Sequence, residues 1–353
     1  TDNGVARDSR VVDYYGEDEP IELGPDENMH DEMIESIARI STKRGYILGP
    51  GVMSSKEFGI NHKEYGVTST GVISFAEITL QHLGIDARKD PFSVKITGGP
   101  AGDVAGNGLR LLLERCPKVQ IRLILDGTGA LVDPEGADHK ALKKVVLKSD
   151  IDKYDPNALH DGGMMIFRSQ TKKEGLRELY RKVTRKGKEL IEEWITVDEF
   201  YRLFNQLIFE VEADLFIPAG GRPETIHVGN WQQFLIDGKP SARGIIEGAN
   251  SFITPEARDK LQAKGIIIMR DASANKCGVI SSSYEIIANL LLTEKEFFAN
   301  KEQYVGDVLE LLEKRAADEA RLIFRRFEEF GGTRTYTDLS ARISREINDH
   351  YAR

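Results

Sequence analysis

The 353-residue sequence predicts an α/β fold, namely a doubly wound, mostly parallel sheet with helical insertions and a helical C-terminal segment. From Phe92 onward, short β-rich runs alternate with helical segments, which is the pattern of strands joined by crossover helices. With 40% hydrophobic and 30% charged residues, the chain has enough apolar side chains to bury a core. Residues 283–327 are rich in Leu, Glu, Lys and Ala and predict helices, and residues 339–351 predict one more amphipathic helix.

The N-terminal part of the sequence is less regular. Residues 1–30 are polar and contain several Gly and Pro residues, so we expect loops there. Residues 31–40 place apolar side chains at helical spacing. Residues 45–71 are dense in Gly, Ser, Asn and Thr, and irregular segments of this length are often functional. A helix over residues 72–83 is expected to lead into the core.

Five β-rich runs are predicted to be strands. The first two are separated by a helix predicted over residues 103–114. Between the last two, Thr254 is expected to cap a helix that begins with Pro255, and Glu256 lies near its positive N-terminus. The strands are predicted over residues 92–97, 119–125, 213–218, 244–247 and 265–269.

The segment of residues 140–210 is longer than a simple crossover requires. It is rich in charge, and we interpret it as a mostly helical elaboration of the βα pattern. We therefore expect three parts: an N-terminal helix and loop over residues 1–72, the sheet domain over residues 73–290, and C-terminal helices over residues 291–353.

Composition argues against several classes of protein. The formal net charge of -9 and the absence of a long basic run argue against nucleic-acid binding, and residues 181–186 are interpreted as a solvated helix face. The two cysteines, Cys116 and Cys277, are too few for a disulfide framework or a Cys-rich zinc site, and they fit a reducing compartment. No apolar run is long enough for a membrane helix, and the residues from Thr1 lack the regions of a secretory signal. We expect the cytoplasm, or the mitochondrial matrix if the source is eukaryotic.

A glycine-rich loop comes directly after the first predicted strand. Gly99, Gly102 and Ala105 form a G-x-x-G-x-x-A variant of the dinucleotide motif between a strand and a helix. Such a loop lets the backbone approach a pyrophosphate, and the helix N-terminus at Asp103 and Val104 supplies amides for the anion. Taken alone, the motif is equally consistent with a structural turn. The Rossmann-like interpretation therefore depends on the residue that ends the second predicted strand.

The second predicted strand ends at an acid. Asp126 lies 24 residues beyond Gly102, where a carboxylate can accept hydrogen bonds from the adenosine ribose hydroxyls. An acid there repels a 2′-phosphate, so the sequence favours NAD over NADP. The alternative interpretation is that Asp126 and Gly127 merely form a turn.

Six ordered motifs resemble the large-type NAD-dependent glutamate dehydrogenases and, more widely, the glutamate, leucine, phenylalanine and valine dehydrogenase superfamily. The resemblance extends from about residue 12 to about residue 290 and, more loosely, to the end. The motifs are residues 23–29, 61–72, 98–107, 218–223, 247–250 and 271–279.

The resemblance implies roles for individual residues. Asp26 falls at the catalytic carboxylate, which moves protons at the reacting amino group, and Thr68 at the threonine near the nicotinamide carboxamide. Asn250 and Asn275 match asparagines on the nicotinamide and ribose side. Ser282 falls near the serine that holds the substrate's carboxylate.

Each of these residues also has a structural interpretation. Pro25-Asp26 is typical of a turn that caps a helix, and Asn250 is compatible with ordinary loop chemistry. Residues 281–283 are compatible with a polar turn of a core helix. His62 in the irregular segment is a candidate general base, but a single loop histidine is more often structural.

The resemblance implies that L-glutamate, NAD⁺ and water give 2-oxoglutarate, ammonium and NADH. In the superfamily, the catalytic and substrate-binding lysines precede the Pro-Asp motif. Only 24 residues precede Pro25, none of them is lysine, and Lys56 and Lys63 come after the motif. We therefore expect a fragment, or one chain of a split enzyme, that binds NAD and needs an N-terminal substrate domain for turnover. The full enzyme is expected to be a homo-oligomer.

Two other functions stay open from the sequence. The chain could be a non-catalytic NAD-binding or assembly module, because the expected lysines are missing. It could also belong to a dehydrogenase for leucine, phenylalanine or valine, since the pocket for the substrate side chain is not visible in the sequence.

Overall fold

The structure is a computed structural model and describes residues 23–24, 29, 31–46, 52–54 and 59–351. Within these residues the chain forms eleven β-strands and eleven α-helices. The strands are β1 Phe92–Thr97, β2 Val119–Asp126, β3 Gly129–Val132, β4 Met164–Glu174, β5 Arg177–Lys186, β6 Glu189–Thr196, β7 Ala213–Pro218, β8 Leu235–Ile236, β9 Lys239–Pro240, β10 Ala242–Ile246 and β11 Ile267–Met269. The helices are α1 Asp31–Lys43, α2 His62–Tyr65, α3 Val67–His82, α4 Asp103–Arg115, α5 His139–Val145, α6 Val197–Glu210, α7 Pro255–Gln262, α8 Asp271–Ala274, α9 Cys277–Leu291, α10 Glu294–Glu329 and α11 Tyr336–Tyr351.

Nine strands form one sheet in the order β11-β10-β7-β1-β2-β3-β4-β5-β6. The first five in this order pair parallel with one another, and the strands from β2 to β6 pair antiparallel. The chain leaves β1 toward β2 on one side and leaves β7 toward β10 on the other, so a topological switch point lies between β1 and β7. The predicted fold class and all five predicted strands are confirmed.

The central strands are buried because helices cover both faces of the parallel part. All six residues of β1 are buried, including the polar Ser93, Lys95 and Thr97 that alternate with its apolar residues. Thr97 at the end of β1 pairs with Leu125 on one side and Pro218 on the other. The carboxyl ends of three adjacent strands therefore meet at one edge of the sheet, called here the carboxyl edge.

The prediction of a mostly helical segment over residues 140–210 is wrong. After α5, the chain forms a three-stranded antiparallel meander from β4 to β6, and only then the helix α6. Residues 181–186, interpreted from the sequence as a helix face, lie on β5. Their charges pair across strands, with Arg181 2.8 Å from Glu192 and Lys182 2.9 Å from Glu193. Cross-strand ion pairs, rather than a solvated helix, account for the charge of this segment.

The helix α6 covers the apolar face of the meander. Thr196 caps it by accepting the Glu199 amide on its hydroxyl at 3.3 Å. Phe200 is fully buried, and its ring centroid lies 4.8 Å from that of Tyr180 on β5 and 5.6 Å from that of Phe204. Aromatic packing therefore joins α6 and the meander into one layer.

Lys95 on β1 is fully buried, and its amino group secures the end of α6. Its Nζ donates to the carbonyls of Ile208 at 2.7 Å and Val211 at 2.9 Å, and to the Ser241 hydroxyl at 2.8 Å. The ring centroid of Phe234 lies 4.4 Å from the same nitrogen. Burial lowers the pKa of Lys95 well below its ordinary value. The amino group of Lys95 satisfies carbonyls that the helix end leaves without an internal donor.

The chain divides into two compact units. The sheet unit comprises residues 68–277 and 313–353, and the second unit comprises residues 1–67 and 278–312. The expected boundaries after residues 72 and 290 therefore do not coincide with those of the compact units. In the second unit, Ile34, Tyr46, Val52 and Met53 form a small apolar cluster. Within the described ranges, no helix combines the length and the apolar content of a membrane span.

The aromatic contact between α6 and the meander provides a test of this layer. We expect Phe200→Ala to lower the free energy of unfolding by about 3–5 kcal/mol, because it leaves a cavity under the meander. Leu176→Ala is the control, since Leu176 at the tip between β4 and β5 is fully exposed; its effect is expected to stay within about 0.5 kcal/mol. Denaturant unfolding followed by circular dichroism measures the unfolding free energy of both variants. Equal losses of stability in the two variants would contradict the packing of Phe200 between α6 and the meander.

Candidate functional site

The loop after β1 touches the loop after β7. Gly98 has a φ of +93°, and a Cβ atom on it would lie 2.9 Å from both the Gly220 nitrogen and the Ala105 Cβ. Only glycine fits this position, for reasons of conformation and of space. The Thr97 hydroxyl donates to the Gly220 carbonyl at 2.6 Å, which joins the two loops at the switch point.

Asp126 ends β2 beside the glycine loop. A Cβ atom on Gly99 would lie 2.7 Å from Asp126 Oδ2, so the approach requires a glycine. Asp126 Oδ1 accepts the Thr128 amide and hydroxyl, both at 2.7 Å, and Oδ2 accepts the Ile151 amide at 2.8 Å. Burial raises the pKa of Asp126, and the bonds from Ile151 and Thr128 lower it in part. The carboxylate therefore closes a turn after Asp126, as the alternative interpretation of the sequence expected. Its Oδ2 also faces the glycine loop.

The helix α4 begins directly after this loop. Gly102 is its N-cap and has no side chain with which to accept the first-turn amides. The amide of Val104 in this first turn points toward the loop end of the helix, where the dipole is positive. An anion such as a phosphate group fits a helix end of this kind.

Two asparagines lie together where β10 and β11 end. Asn275 Nδ2 donates to Asn250 Oδ1 at 2.6 Å and to the Gly248 carbonyl at 3.1 Å. A Cβ atom on Gly248 would lie 3.1 Å from Val104 Cγ1, so the loop after β10 packs on the first turn of α4. In the part of the chain that the structure describes, Asn250 Nδ2 and Asn275 Oδ1 have no hydrogen bond. The pair therefore offers one donor and one acceptor, which is what a carboxamide needs.

A buried ion network lies beneath the asparagine pair. Arg258 on α7 contacts Glu247 at 2.9 Å and Asp271 at 3.3 Å. Asp271 accepts the Ser251 amide at 2.8 Å, so the network fixes the chain on both sides of Asn250. Burial raises the pKa of Glu247 to about 7, although the charge of Arg258 acts in the opposite direction.

Thr68 lies in the first turn of α3, next to the same region. The neighbouring Ser69 hydroxyl donates to the Val104 carbonyl at 2.8 Å, so the first turns of α3 and α4 are in contact. A Cβ atom on Gly71 would lie 2.9 Å from the Ala274 carbonyl oxygen, which brings α3 close to the residue before Asn275. The structure thus brings Thr68 and the predicted residues Gly99, Gly102, Asp103, Val104, Asp126, Asn250 and Asn275 to one edge of the sheet unit.

A cavity of about 670 Å³ opens at the carboxyl edge. Its floor includes Gly98, Gly99 and Asp126, and its apolar wall includes Tyr201 and Phe204 from α6. Sequence reasoning missed this wall, because α6 was not distinguished within the segment of residues 140–210. The helical spacing of apolar residues after Thr196 was the signal that could have revealed it. Arg168, Asn205, Arg222, Thr225, Gln233 and Phe252 also line the cavity.

Two predicted residues do not lie among the described residues of the sheet unit. Asp26 lies outside the described residues, so its proposed role is unaffected by the geometry. Ser282 lies on α9 in the second unit and donates to the Gly278 carbonyl at 3.3 Å. In the same unit, His62 Nε2 lies 3.1 Å from the Ser281 hydroxyl, and burial lowers the pKa of His62 to about 4. His62 is therefore neutral near pH 7 and is held by a serine of α9.

A family model and several known proteins match this chain. The model for Glutamate/Leucine/Phenylalanine/Valine dehydrogenase matches residues 59–324. The chain is 31% identical to a probable NAD-specific glutamate dehydrogenase of Schizosaccharomyces pombe, over 97% of this chain and 30% of that protein. It is also 31% identical to the NAD-specific glutamate dehydrogenase of Neurospora crassa, over 96% of this chain and 31% of that protein. The chain thus spans about a third of the length of these curated relatives.

The fold is similar to that of solved structures as well. The hetero-hexameric glutamate dehydrogenase of Thermus thermophilus aligns with a TM-score of 0.57 at 17% identity. The alignment covers 90% of this chain and 60% of that chain. At this level of identity, the likeness concerns the fold alone.

The buried Glu247 predicts a pH dependence of stability. Its folded pKa of about 7 lies above the usual 4.5, so the folded protein holds this proton more tightly than the unfolded chain does. The contribution of Glu247 is therefore greatest below about pH 4.5 and declines as the pH rises to about 7. We expect the difference in unfolding free energy between the unchanged protein and Glu247→Gln to fall across this range, by up to about 1.4 kcal/mol per pH unit. Denaturant unfolding of both proteins at several pH values measures it, and a difference that is constant or rises with pH would refute the assignment.

Proposed function

The chain belongs to the glutamate/leucine/phenylalanine/valine dehydrogenase family, and from this premise we propose that its sheet unit binds NAD for the oxidative deamination of L-glutamate. The observation that supports the proposal most directly is the convergence at the switch point. There the glycine loop, Asp126 and the asparagine pair share one edge of the sheet, with a cavity beside them. The family recognised from the sequence motifs is confirmed by the family match.

The residues present fit a dinucleotide. The glycine loop and the first turn of α4, with Gly99, Gly102, Asp103 and Val104, would hold the pyrophosphate at the positive end of the helix. Asp126 Oδ2, which faces the loop, would accept a hydroxyl of the adenosine ribose.

The other end of the dinucleotide fits the asparagine pair. Asn250 Nδ2 and Asn275 Oδ1 would take the nicotinamide carboxamide as donor and acceptor, with Thr68 nearby. NAD is proposed as the cofactor also because both relatives have NAD-specific in their names.

The chain's own residues have separate tasks in the proposed reaction. NAD would supply the acceptor for the hydride of the substrate's Cα. Asp26 would accept and return protons at the reacting nitrogen and at the water that attacks the imine. Ser282 would hold the substrate's carboxylate, and the fixed edge of the sheet unit would keep the nicotinamide-binding groups in position. Orientation of this kind supplies a large part of an enzyme's rate.

We further propose that turnover needs a lysine-bearing substrate domain in addition to these residues, and that the whole enzyme is a homo-oligomer. The products would be 2-oxoglutarate and ammonium. A non-catalytic NAD-binding module, or a dehydrogenase for leucine, phenylalanine or valine, is the alternative. The names of the relatives favour glutamate over these amino acids.

Substitution of the glycine loop tests NAD binding. We expect Gly99→Ala to weaken the binding of NAD to the 353-residue chain at least about tenfold, because the new Cβ would displace Asp126 or the loop. Gly108→Ala on α4 is the matched control, since its Cβ would meet nothing closer than 3.9 Å. Isothermal titration calorimetry with NAD measures both affinities. Equal affinity in the two variants would place the dinucleotide elsewhere.

Activity assays distinguish the candidate functions. We expect the 353-residue chain to bind NAD but to form little NADH from glutamate, and to gain activity when joined to the lysine-bearing domain of a relative. Robust glutamate oxidation by the chain alone would refute the need for that domain. Oxidation of leucine, phenylalanine or valine in preference to glutamate by the joined protein would support another substrate. NAD binding without activity in any combination would favour the non-catalytic module.

A further inference from the structure

The meander meets the carboxyl edge at an irregularity in β4. Phe167 of β4 pairs with Arg181 of β5, but the next pair is Thr171 with Tyr180. The three residues between them, residues 168–170, form a β-bulge, and bulges redirect side chains next to functional sites. Asp126 pairs with Gly129, and Gly129 pairs with Phe167, so the bulge begins at the carboxyl edge.

Backbone hydrogen bonds fix this bulge on the turn that Asp126 closes. The Thr128 carbonyl accepts the Arg168 amide at 2.7 Å and the Ser169 amide at 3.3 Å. Two of the three bulged side chains are engaged nearby: Ser169 donates to Asp152 at 2.8 Å, and Gln170 accepts from Arg181 at 2.7 Å.

Arg168 is the member of the bulge without such a partner. Across the described ranges, its guanidinium makes no hydrogen bond or ion pair, and it lines the cavity together with Asp126. A guanidinium is planar and weakly hydrated, so it stacks readily on a flat ring. Arg168 lies beyond Asp126 in the direction from β1 to β4. If the glycine loop holds the pyrophosphate and Asp126 holds the ribose, the base of the dinucleotide comes next in this direction.

The lining of the cavity suits a flat aromatic ring better than an additional phosphate on the ribose. Its wall includes Tyr201, Phe204 and Phe252, which offer apolar surface to a flat heterocycle. The nearby carboxylate of Asp126 would repel a phosphate on the ribose. We propose that Arg168 binds the adenine ring of the dinucleotide by stacking its guanidinium on one face. This inference rests on the proposed NAD site and makes the inserted meander a wall of that site.

Titration of dinucleotide fragments tests the role of Arg168. In the 353-residue chain, we expect Arg168→Ala to raise the Kd of NAD and of ADP alike by about 3- to 30-fold, which is the range for a cation on an aromatic ring. The Kd of nicotinamide mononucleotide should not change. Arg168→Lys should resemble Arg168→Ala more than the unchanged chain, because lysine keeps the charge but not the plane.

Arg177→Ala is the matched control, since Arg177 is an exposed arginine at the far turn of the same meander. Thermal unfolding of each variant shows whether the fold is intact. Unchanged ADP affinity in Arg168→Ala overturns the inference, and so does full restoration by Arg168→Lys. A loss of affinity for NADP alone also overturns the inference, because Arg168 would then bind the phosphate on the ribose of NADP. If the unchanged chain binds neither NAD nor ADP, the proposed function fails and the inference fails with it.

Discussion

The close approach of two backbones at Gly98 and Gly220 is the constraint on which the rest of the structure depends. A Cβ atom on Gly220 would lie 2.9 Å from the Gly98 Cα, so neither loop has room for a side chain at this point. Because β1 and β7 send the chain to opposite sides of the sheet, a crevice can open between their ends. The loop after β1 also packs against Asp126 at Gly99 and against Ala105 of α4 at Gly98, so the crevice opens beside both.

The parallel part of the fold could be predicted because its signals are local. Strands buried on both faces give continuous apolar runs such as β11, and helix caps such as Thr254 are recognised from neighbouring residues. The meander could not be predicted in the same way. Its buried apolar residues are confined to short stretches such as residues 165–167, and its charges are balanced by partners on the adjacent strand, as in the pair of Arg181 and Glu192. This balance of charges depends on which residues of two strands lie opposite each other. The spacing of charged and apolar residues along the sequence does not show that pairing.

The same distinction applies to the site. The glycine loop and Asp126 were predictable because strand, turn and helix are consecutive in the sequence. The asparagine pair could be named only through the family resemblance, because Asn250 and Asn275 meet through the packing of two separate loops. The aromatic wall and Arg168 come from elements that the sequence did not resolve, and no local pattern connects Tyr201 with the turn after β2.

Asp126 shows how folding and binding are linked in this architecture. Its Oδ1 closes the turn after β2, and the carbonyl of Thr128 in that turn anchors the bulge at Arg168. The Asp126 carboxylate and the backbone of the bulge are therefore ordered by the fold before any ligand arrives, and binding does not have to supply that ordering. Burial nevertheless disfavours the ionised carboxylate, as the raised pKa of Asp126 shows. A hydroxyl that donates to Oδ2 stabilises the ionised form, so a bound sugar would favour the same state of Asp126 that closes the turn.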